Sequence, residues 1–253
     1  MSSIQKVGKV KCMSKSGSIY AIVPAAGRGK RMQSDVPKQY LKIDDELVIV
    51  QTLSRISSHP RVAKIVVALS EDDDYFFKVV QPMSEKYVSV IGGAERCHSV
   101  LAGAKHLRQF ADDESWVMVH DAARPCLRYD DIEVLVKRAT QKNCGVALGV
   151  PVRDTLKSCA NGSIIQKTID RSGLWQALTP QIFPLGLLAD ALETAIRDGY
   201  YVTDESQAME YSGYKCEIVE GHADNIKITR PSDLLMASAI LRAQAEENRK
   251  TPL

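Results

Sequence analysis

Residues 18–32 read SIYAIVPAAGRGKRM, an apolar run that leads directly into a loop of small and basic residues. A short apolar run that ends at a proline and a glycine-rich loop predicts a buried strand, here 18–23. The small residues at 25–27 leave backbone N–H groups open to phosphate oxygens, and the basic residues among 28–31 add positive charge. The stretch therefore predicts a strand followed by a phosphate-binding turn.

The loop matches neither of two common nucleotide-binding motifs. It is not a P-loop, because no Ser or Thr follows Lys30, and it is not the dinucleotide fingerprint, because Met32 occupies the place of the third glycine. A tight strand-to-helix turn with surface basic residues is the alternative interpretation.

Four further short apolar runs end at chain-breaking residues, and each predicts a strand: 64–69, 87–91, 116–119 and 145–150. Helical patterns of apolar residues lie between them, at 50–56, 100–107 and 132–139. Strands that read as continuous apolar runs are buried on both faces. The alternation predicts an α/β fold, Rossmann-like and doubly wound, with a mainly parallel sheet that binds ligands at the carboxyl ends of its strands.

Residues 151–170 interrupt this alternation. Two extended, mixed polar segments, 152–158 and 163–169, flank Asn161-Gly162, and Asn-Gly between such segments is a strong signal for a hairpin with a type I′ turn. A hairpin at this place would project from the sheet with too little core to stand alone. We therefore expect it to pack on a second copy of the chain, the alternative being an excursion folded back on its own domain.

The rest of the chain completes the predicted domain. Downstream patterns predict helices near 185–197 and 204–211, a strand near 216–219 and a closing helix near 231–246. We assign residues 18–247 to a single domain, residues 1–17 to a flexible N-terminal tail and residues 248–253 to a C-terminal tail.

Composition limits the classes of partner and compartment. The 253 residues carry 33 basic and 31 acidic side chains, and a net charge of +2 argues against nucleic acid or a membrane surface as partner. No apolar stretch reaches the length of a membrane span. Six scattered cysteines without a C-x-x-C pair predict reduced thiols in a cytoplasmic compartment. We therefore expect a cytoplasmic protein, as in a bacterial cell. The acid-free, lysine-bearing start of the chain leaves a plastid-targeting remnant as an alternative.

Two more predicted strand ends carry polar groups. Gly92-Gly93 follows one apolar run, with Ser99 at the start of the next helix, and Asp121 and Arg124 follow another. A carboxylate at the end of a buried strand is costly unless it is paired, and Mg²⁺ uses one or two carboxylates plus substrate phosphates. Asp121 is therefore a candidate metal ligand, and a salt bridge to Arg124 is the alternative.

Later polar residues are ambiguous on their own. Thr203 has the residue type of a helix N-cap. Lys227 lies in an apolar-flanked segment, where it either reaches a phosphate or is simply exposed.

Taken together, these stretches resemble the 2-C-methyl-D-erythritol 4-phosphate cytidylyltransferase family of the non-mevalonate isoprenoid pathway. The resemblance covers about residues 18–241. The stretches that carry it are PAAGRGKRM (24–32), PKQY (37–40), HDAARPC (120–126), PVRDT (151–155), DRSGLWQALTPQ (170–181), TDE (203–205) and EGHADNIKITRP (220–231).

The resemblance implies a nucleotidyltransferase that moves CMP from CTP to methylerythritol phosphate with Mg²⁺. It also implies a homodimer in which a β-arm, here 151–170, embraces the other subunit. The catalytic residues that it implies are Arg31, Lys38 and Lys227. The nucleotide-binding residues are Ala25, Ala26, Gly27, Gly93, Ser99 and Asp121, with Asp121 also at the metal. The substrate-binding residues are Arg124, Thr155, Arg171, Thr179, Thr203 and Lys227. The family often has an acid where this chain has Ala94, which makes the ribose contact at that position less secure.

Two alternatives to this function stay open. One is a cytidylyltransferase for another polyol phosphate, such as ribitol 5-phosphate, and the other is a catalytically silent nucleotide-binding protein. The chemistry itself needs little more than positioning and electrostatics, because the acceptor phosphate is already an anionic nucleophile. No covalent intermediate is required.

Overall fold

A seven-stranded sheet lies at the centre of the structure, a computed structural model that describes residues 17–27 and 36–250. In chain order the strands are β1 (Ile19–Pro24), β2 (Lys42–Ile43), β3 (Glu46–Leu47), β4 (Val62–Leu69), β5 (Tyr87–Ile91), β6 (Trp116–Val119), β7 (Gly145–Pro151), β8 (Leu156–Ala160), β9 (Ile164–Ile169), β10 (Trp175–Pro184) and β11 (Cys216–Glu220). The α-helices are α1 (Val48–Ser57), α2 (Arg96–Leu107), α3 (Tyr129–Lys142), α4 (Leu185–Arg197), α5 (Glu205–Tyr211) and α6 (Ser232–Lys250).

The sheet has the order β11-β7-β10-β6-β1-β4-β5, and β10 alone among these strands runs antiparallel to its neighbours. Its faces are covered by different helices. The core on one face includes α1 and α3, and the core on the other includes α2, α4 and α5. This confirms the predicted α/β fold with a mainly parallel, doubly wound sheet.

The sequence analysis missed β10, although this strand lies between β6 and β7. Its two prolines argue against a central strand, since a proline cannot donate to the ladder. The structure accommodates Pro180 where the pairing with β7 shifts register, between Ala177 and Gln181, and Pro184 at the end of the strand. Neither proline therefore interrupts a regular run of ladder hydrogen bonds.

The predicted hairpin is present as β8 and β9, which form a two-stranded sheet of their own. Asn161 and Gly162 have φ values of 48° and 82°, the left-handed backbone that an Asn-Gly turn requires. The connection has three residues, because Ala160 pairs with Ile164. We name this hairpin, Leu156–Ile169, the arm. Ile164 and Ile165 on it are 63% and 61% exposed, so the arm presents apolar surface to its surroundings.

Helix boundaries downstream of the arm differ slightly from prediction. The last helix continues to Lys250, so residues 248–250, predicted to belong to a C-terminal tail, are helical. Asp204, and not Thr203, caps α5, because its carboxylate accepts a hydrogen bond from the Gln207 backbone N–H. An ionised carboxylate also interacts favourably with the positive end of the helix. None of the helices in the described ranges is long and apolar enough to cross a bilayer.

The central position of β10 leads to a stability prediction. Phe183 on β10 is fully buried, whereas Phe77 is 55% exposed. We expect Phe183→Ala to lower the free energy of unfolding by about 3–5 kcal/mol, because it removes a large buried ring and leaves a cavity. The matched control, Phe77→Ala, should cost less than about 1 kcal/mol. Urea unfolding of both variants measures the difference in the free energy of unfolding. Equal losses of this free energy in the two variants would contradict a core position for β10.

Candidate active site

A cavity opens where the carboxyl ends of β1, β5 and β6 meet, as expected for a doubly wound sheet. The loop after β1 forms one wall, the loop after β5 forms a second, and the residues after β6 form the floor. The lining residues are Pro24, Ala25, Ala26, Gly27, Lys38, Gln39, Gly93, Ala94, Glu95, Arg96, Ser99, Asp121, Ala122, Ala123 and Lys227.

Two hydrogen bonds to the backbone of Ala25 fix the loop after β1. The Ala25 N–H donates to the Ala68 carbonyl oxygen at 2.7 Å, and the buried Gln39 side chain donates to the Ala25 carbonyl oxygen at 2.7 Å. Ala26 and Gly27 follow and line the cavity. The predicted catalytic residue Arg31 lies outside the described residues.

The paired glycines after β5 are required by close packing. A Cβ atom on Gly92 would lie 2.6 Å from Ser99 Oγ and 2.9 Å from the Cβ of Ala26. Ser99 is buried at the fourth position of α2, and its Oγ accepts a hydrogen bond from the Gly93 N–H at 3.1 Å. Gly93 and Ser99 thus hold this wall of the cavity in place against the first loop.

Asp121 follows β6 and is surrounded by three cations. Its Oδ1 accepts from Arg96 Nε at 3.0 Å, and its Oδ2 lies 2.9 Å from Lys227 Nζ and 3.4 Å from Arg124 Nε. Burial alone would raise the pKa of the Asp121 carboxyl, but the charges of Arg96, Lys227 and Arg124 outweigh burial and lower it below the usual range. Asp121 is therefore ionised at neutral pH, and the Asp121–Arg124 salt bridge, the alternative to a metal ligand at this position, is present as part of a larger cluster.

Arg96 also forms an ion pair with a second carboxylate, that of Glu205. Its Nη1 donates to Oε1 of Glu205, the first residue of α5, whose side chain is 1% exposed. Burial acts to lower the pKa of Arg96, but the two carboxylates Glu205 and Asp121 outweigh it and raise the pKa above the ordinary value. The guanidinium therefore stays charged between its two partners.

A hydrogen-bond chain fixes the backbone of Asp121. The Asp121 N–H donates to Thr179 Oγ1 at 3.1 Å, and Thr179 Oγ1 lies 3.0 Å from Nδ1 of the buried His120. His120 Nε2 lies 3.0 Å from the Arg124 carbonyl oxygen, which can only accept, so Nε2 carries the proton and Nδ1 accepts from the threonine hydroxyl. A neutral imidazole in this tautomer satisfies every donor and acceptor of the chain, including the threonine hydroxyl.

The structure brings together the predicted residues of the nucleotide half. Among the described residues, Ala25, Ala26, Gly27, Gly93, Ser99, Asp121, Lys38 and Lys227 all line the cavity. Lys38 Nζ donates to the carbonyl oxygen of Ile228, next to Lys227, at 3.1 Å. Two ammonium groups are thus placed at one side of the same cavity.

The residues that were predicted to bind the acceptor substrate are more scattered. Arg124 and Thr179 are buried behind Asp121, and Arg124 also donates to the Asn225 carbonyl oxygen at 2.7 Å. Thr155, Arg171 and Thr203 are exposed and do not line the cavity. Thr155 and Arg171 lie at the two ends of the arm, and the Thr203 hydroxyl donates to Gln207 Oε1 at 3.0 Å.

Sequence reasoning missed the role of three residues in this arrangement. None of Gln39, Arg96 and Glu205 was assigned a role in the site. Gln39 and Glu205 lie inside recognised stretches, and Arg96 lies three residues after the paired glycines, but the partner of each lies in another part of the chain. Arg96 and Glu205, for example, are 109 positions apart.

His120 leads to a pH prediction. Burial lowers the pKa of its imidazole to about 4 in the folded chain, against an ordinary value of 6.5. The unfolded chain therefore takes up the proton first, and stability is lost as pH falls from about 6.5 towards 4, by up to about 3 kcal/mol. We expect urea unfolding to show that the free energy of unfolding falls more between pH 7 and pH 4.5 for the wild type than for His120→Gln. The control His106→Gln, on partly exposed α2 surface, should lose as much as the wild type, and equal losses in all three proteins would contradict a neutral buried His120.

Comparison with known proteins points to one family. The family model described as 2-C-methyl-D-erythritol 4-phosphate cytidylyltransferase matches residues 19–243. A relative of that name from Shewanella amazonensis is 46% identical over 92% of this chain and 97% of its own length. Another from Escherichia coli is 46% identical over 91% of this chain and 97% of its own length.

Solved structures agree with the sequence relatives. The crystal structure of a 4-diphosphocytidyl-2C-methyl-D-erythritol synthase superposes with a TM-score of 0.77 at 35% identity, covering 88% of this chain and 99% of that one. The Francisella tularensis 2-C-methyl-D-erythritol 4-phosphate cytidylyltransferase superposes with a TM-score of 0.76 at 33% identity and the same coverage. The chain belongs to the 2-C-methyl-D-erythritol 4-phosphate cytidylyltransferase family.

Proposed function

We propose that this chain transfers CMP from CTP to 2-C-methyl-D-erythritol 4-phosphate, giving 4-diphosphocytidyl-2-C-methyl-D-erythritol and pyrophosphate. The observation that carries the proposal is the cavity itself. Small residues after β1, the paired glycines after β5, Asp121, Lys38 and Lys227 meet there in a chain of this family.

The reaction forms one bond and breaks one bond at the α-phosphorus of CTP. A phosphate oxygen of the acceptor attacks this phosphorus, and the bridging oxygen leaves with pyrophosphate. The attacking oxygen is already anionic, so the protein needs no general base. Its task is to hold two anions together and to stabilise the charge that develops on the leaving group.

Lys38 and Lys227 are suited to that task. Their side chains line one cavity, and the carbonyl that binds Lys38 belongs to Ile228, the residue after Lys227. We assign Lys38, together with Arg31, to the phosphates of CTP and Lys227 to the attacking phosphate. Lys227 Nζ lies 2.9 Å from Asp121 Oδ2, and an incoming phosphate would exchange with this carboxylate.

Asp121 also fits a divalent metal that is shared with the nucleotide. No group of three or more His, Cys, Asp and Glu side chains in the described part of the chain could hold a metal alone. Mg²⁺ however typically takes one or two carboxylates and completes its shell with substrate phosphates and water. Asp121 is ionised and at the cavity, and it would hold Mg²⁺ that neutralises part of the triphosphate charge.

The arm supports a proposal about assembly. Its exposed isoleucines have no core of their own, and a two-stranded hairpin is at best marginally stable alone in water. We propose that the single domain forms a homodimer through this arm. Thr155 and Arg171 at its ends would then reach the acceptor, some of these contacts being made across the dimer interface.

The decisive assay follows pyrophosphate release from purified protein with CTP, Mg²⁺ and an acceptor. We expect turnover with methylerythritol phosphate and much slower turnover with ribitol 5-phosphate. Faster release with ribitol 5-phosphate would overturn the choice of acceptor, and no release with either acceptor would overturn the proposed reaction.

Lys38→Ala tests the role of the positive charge. We expect kcat to fall by about 10²–10³-fold, because a well-placed group that stabilises developing charge is worth about 3–4 kcal/mol. The unfolding midpoint should change little. Lys42→Ala, which removes an exposed lysine four residues away, is the control and should keep wild-type turnover. A near-normal kcat for Lys38→Ala would contradict this role.

Ile165→Asp tests the arm. A charge in an apolar contact between subunits is strongly unfavourable, so we expect this variant to elute as a monomer where the wild type is a dimer. Size-exclusion chromatography with light scattering measures the mass. Leu235→Asp places the same charge on another exposed apolar residue, 79% exposed on α6, and should leave the dimer intact. A dimeric Ile165→Asp protein, or a monomeric wild type, would contradict the arm as the dimer contact.

A further inference from the structure

An ion-pair bridge of one partly exposed guanidinium and two buried carboxylates connects the cavity with α5. Arg96 is the first residue of α2, and it donates through Nε to Asp121 Oδ1 at 3.0 Å and through Nη1 to Glu205 Oε1. Asp121 follows β6, and Glu205 begins α5. One guanidinium therefore links three elements around the cavity.

Glu205 depends on Arg96 for its counter-charge. Its side chain is 1% exposed, and its Oε2 accepts no hydrogen bond from the part of the chain that the structure describes. Burial raises the pKa of its carboxyl above the ordinary value although the charge of Arg96 opposes that effect, so the contact with Arg96 is what favours the ionised form. If Arg96 moved away, the buried carboxyl would either carry an uncompensated charge or take up a proton, and both cost free energy.

Lys227 is held much less firmly than Arg96. Its one ion pair within the described residues is with Asp121 Oδ2, and its side chain is 35% exposed. If Lys227 leaves, Asp121 keeps Arg96 on Oδ1 and Arg124 near Oδ2. The cations at Asp121 are therefore not equivalent: Arg96 is anchored, and Lys227 can be exchanged.

On the basis of the proposed function, we propose that Glu205 is a positioning residue for the transfer reaction. Through Arg96 it holds Asp121 in place at the cavity, so that Lys227 is the cation released to the acceptor phosphate. Glu205 itself touches neither substrate. Without its charge, Arg96 becomes free to follow the polyphosphate, and Asp121 loses its fixed partner.

The direct test is Glu205→Gln, which keeps the shape of the side chain and its acceptor oxygen but removes the charge. We expect kcat to fall about 10- to 100-fold, the size of effect typical when a group that orients another functional group is lost. The KM for CTP should not rise, because a released Arg96 can still bind the nucleotide in the ground state. Pyrophosphate release at varied CTP and acceptor gives both constants.

Glu210→Gln is the matched control. Glu210 is an exposed residue of the same helix, α5, and lies outside the cavity. The same substitution at this position should leave kcat, KM and the unfolding midpoint at their wild-type values.

A double variant separates positioning from folding. Arg96→Gln alone should lower the unfolding midpoint, because it leaves Glu205 buried without a partner. Arg96→Gln combined with Glu205→Gln should recover part of the midpoint, since Glu205 then carries no buried charge and Asp121 keeps Lys227 and Arg124 at Oδ2. The kcat of this double variant should stay as low as that of Arg96→Gln, because Glu205 acts only through Arg96.

Two results would overturn the inference. One is a kcat for Glu205→Gln within twofold of the wild type. The other is a fall in kcat accompanied by higher KM values for both substrates and a lower unfolding midpoint, which is the pattern of a purely structural role. A wild-type protein that releases no pyrophosphate with CTP and methylerythritol phosphate would instead overturn the proposed function.

Discussion

The carboxylate of Asp121 lies almost completely buried at the end of β6, where it faces Arg96, Arg124 and Lys227. A lone buried carboxylate would be strongly unfavourable, and so would the buried guanidinium groups without it. The elements that carry these groups must therefore meet at one point. These are β6, the start of α2 and the segment after β11, and the cavity forms where they meet.

The same constraint explains why the residues behind the cavity are tied together by buried hydrogen bonds. His120 and Thr179 tie the Asp121 backbone to β10. The Asn225 side chain donates to the Thr179 carbonyl oxygen at 2.8 Å, and the backbone carbonyl oxygen of Asn225 accepts from Arg124. The segment that carries Lys227 is thus attached to the strand beside Asp121. Removal of water and alignment of charge at the cavity depend on this buried support.

Most of the fold and most of the nucleotide half of the site could be predicted from the sequence. Short apolar runs before breakers predicted β1, β4, β6 and β7, because a strand buried on both faces needs no polar alternation. The same pattern also predicted β5, although this strand lies at the edge of the sheet and only Tyr87 in it is buried. The residues at the ends of three of these strands were therefore known to share one edge. The strand β10 was missed, because its prolines violate the usual pattern and only the tertiary register places them harmlessly at a bulge and at the strand end. The Arg96–Glu205 pair was missed because nothing local in the sequence marks two residues so far apart as neighbours.

On the proposed function, the Asp121 carboxylate organises the cations that carry out the transfer. This role can be tested by measuring the kcat of Asp121→Asn for CTP-dependent pyrophosphate release, since the substitution keeps the shape of the side chain and removes its charge. We expect a fall of at least about 100-fold in a protein that keeps its native circular dichroism spectrum. A folded Asp121→Asn protein with near wild-type turnover would contradict this role.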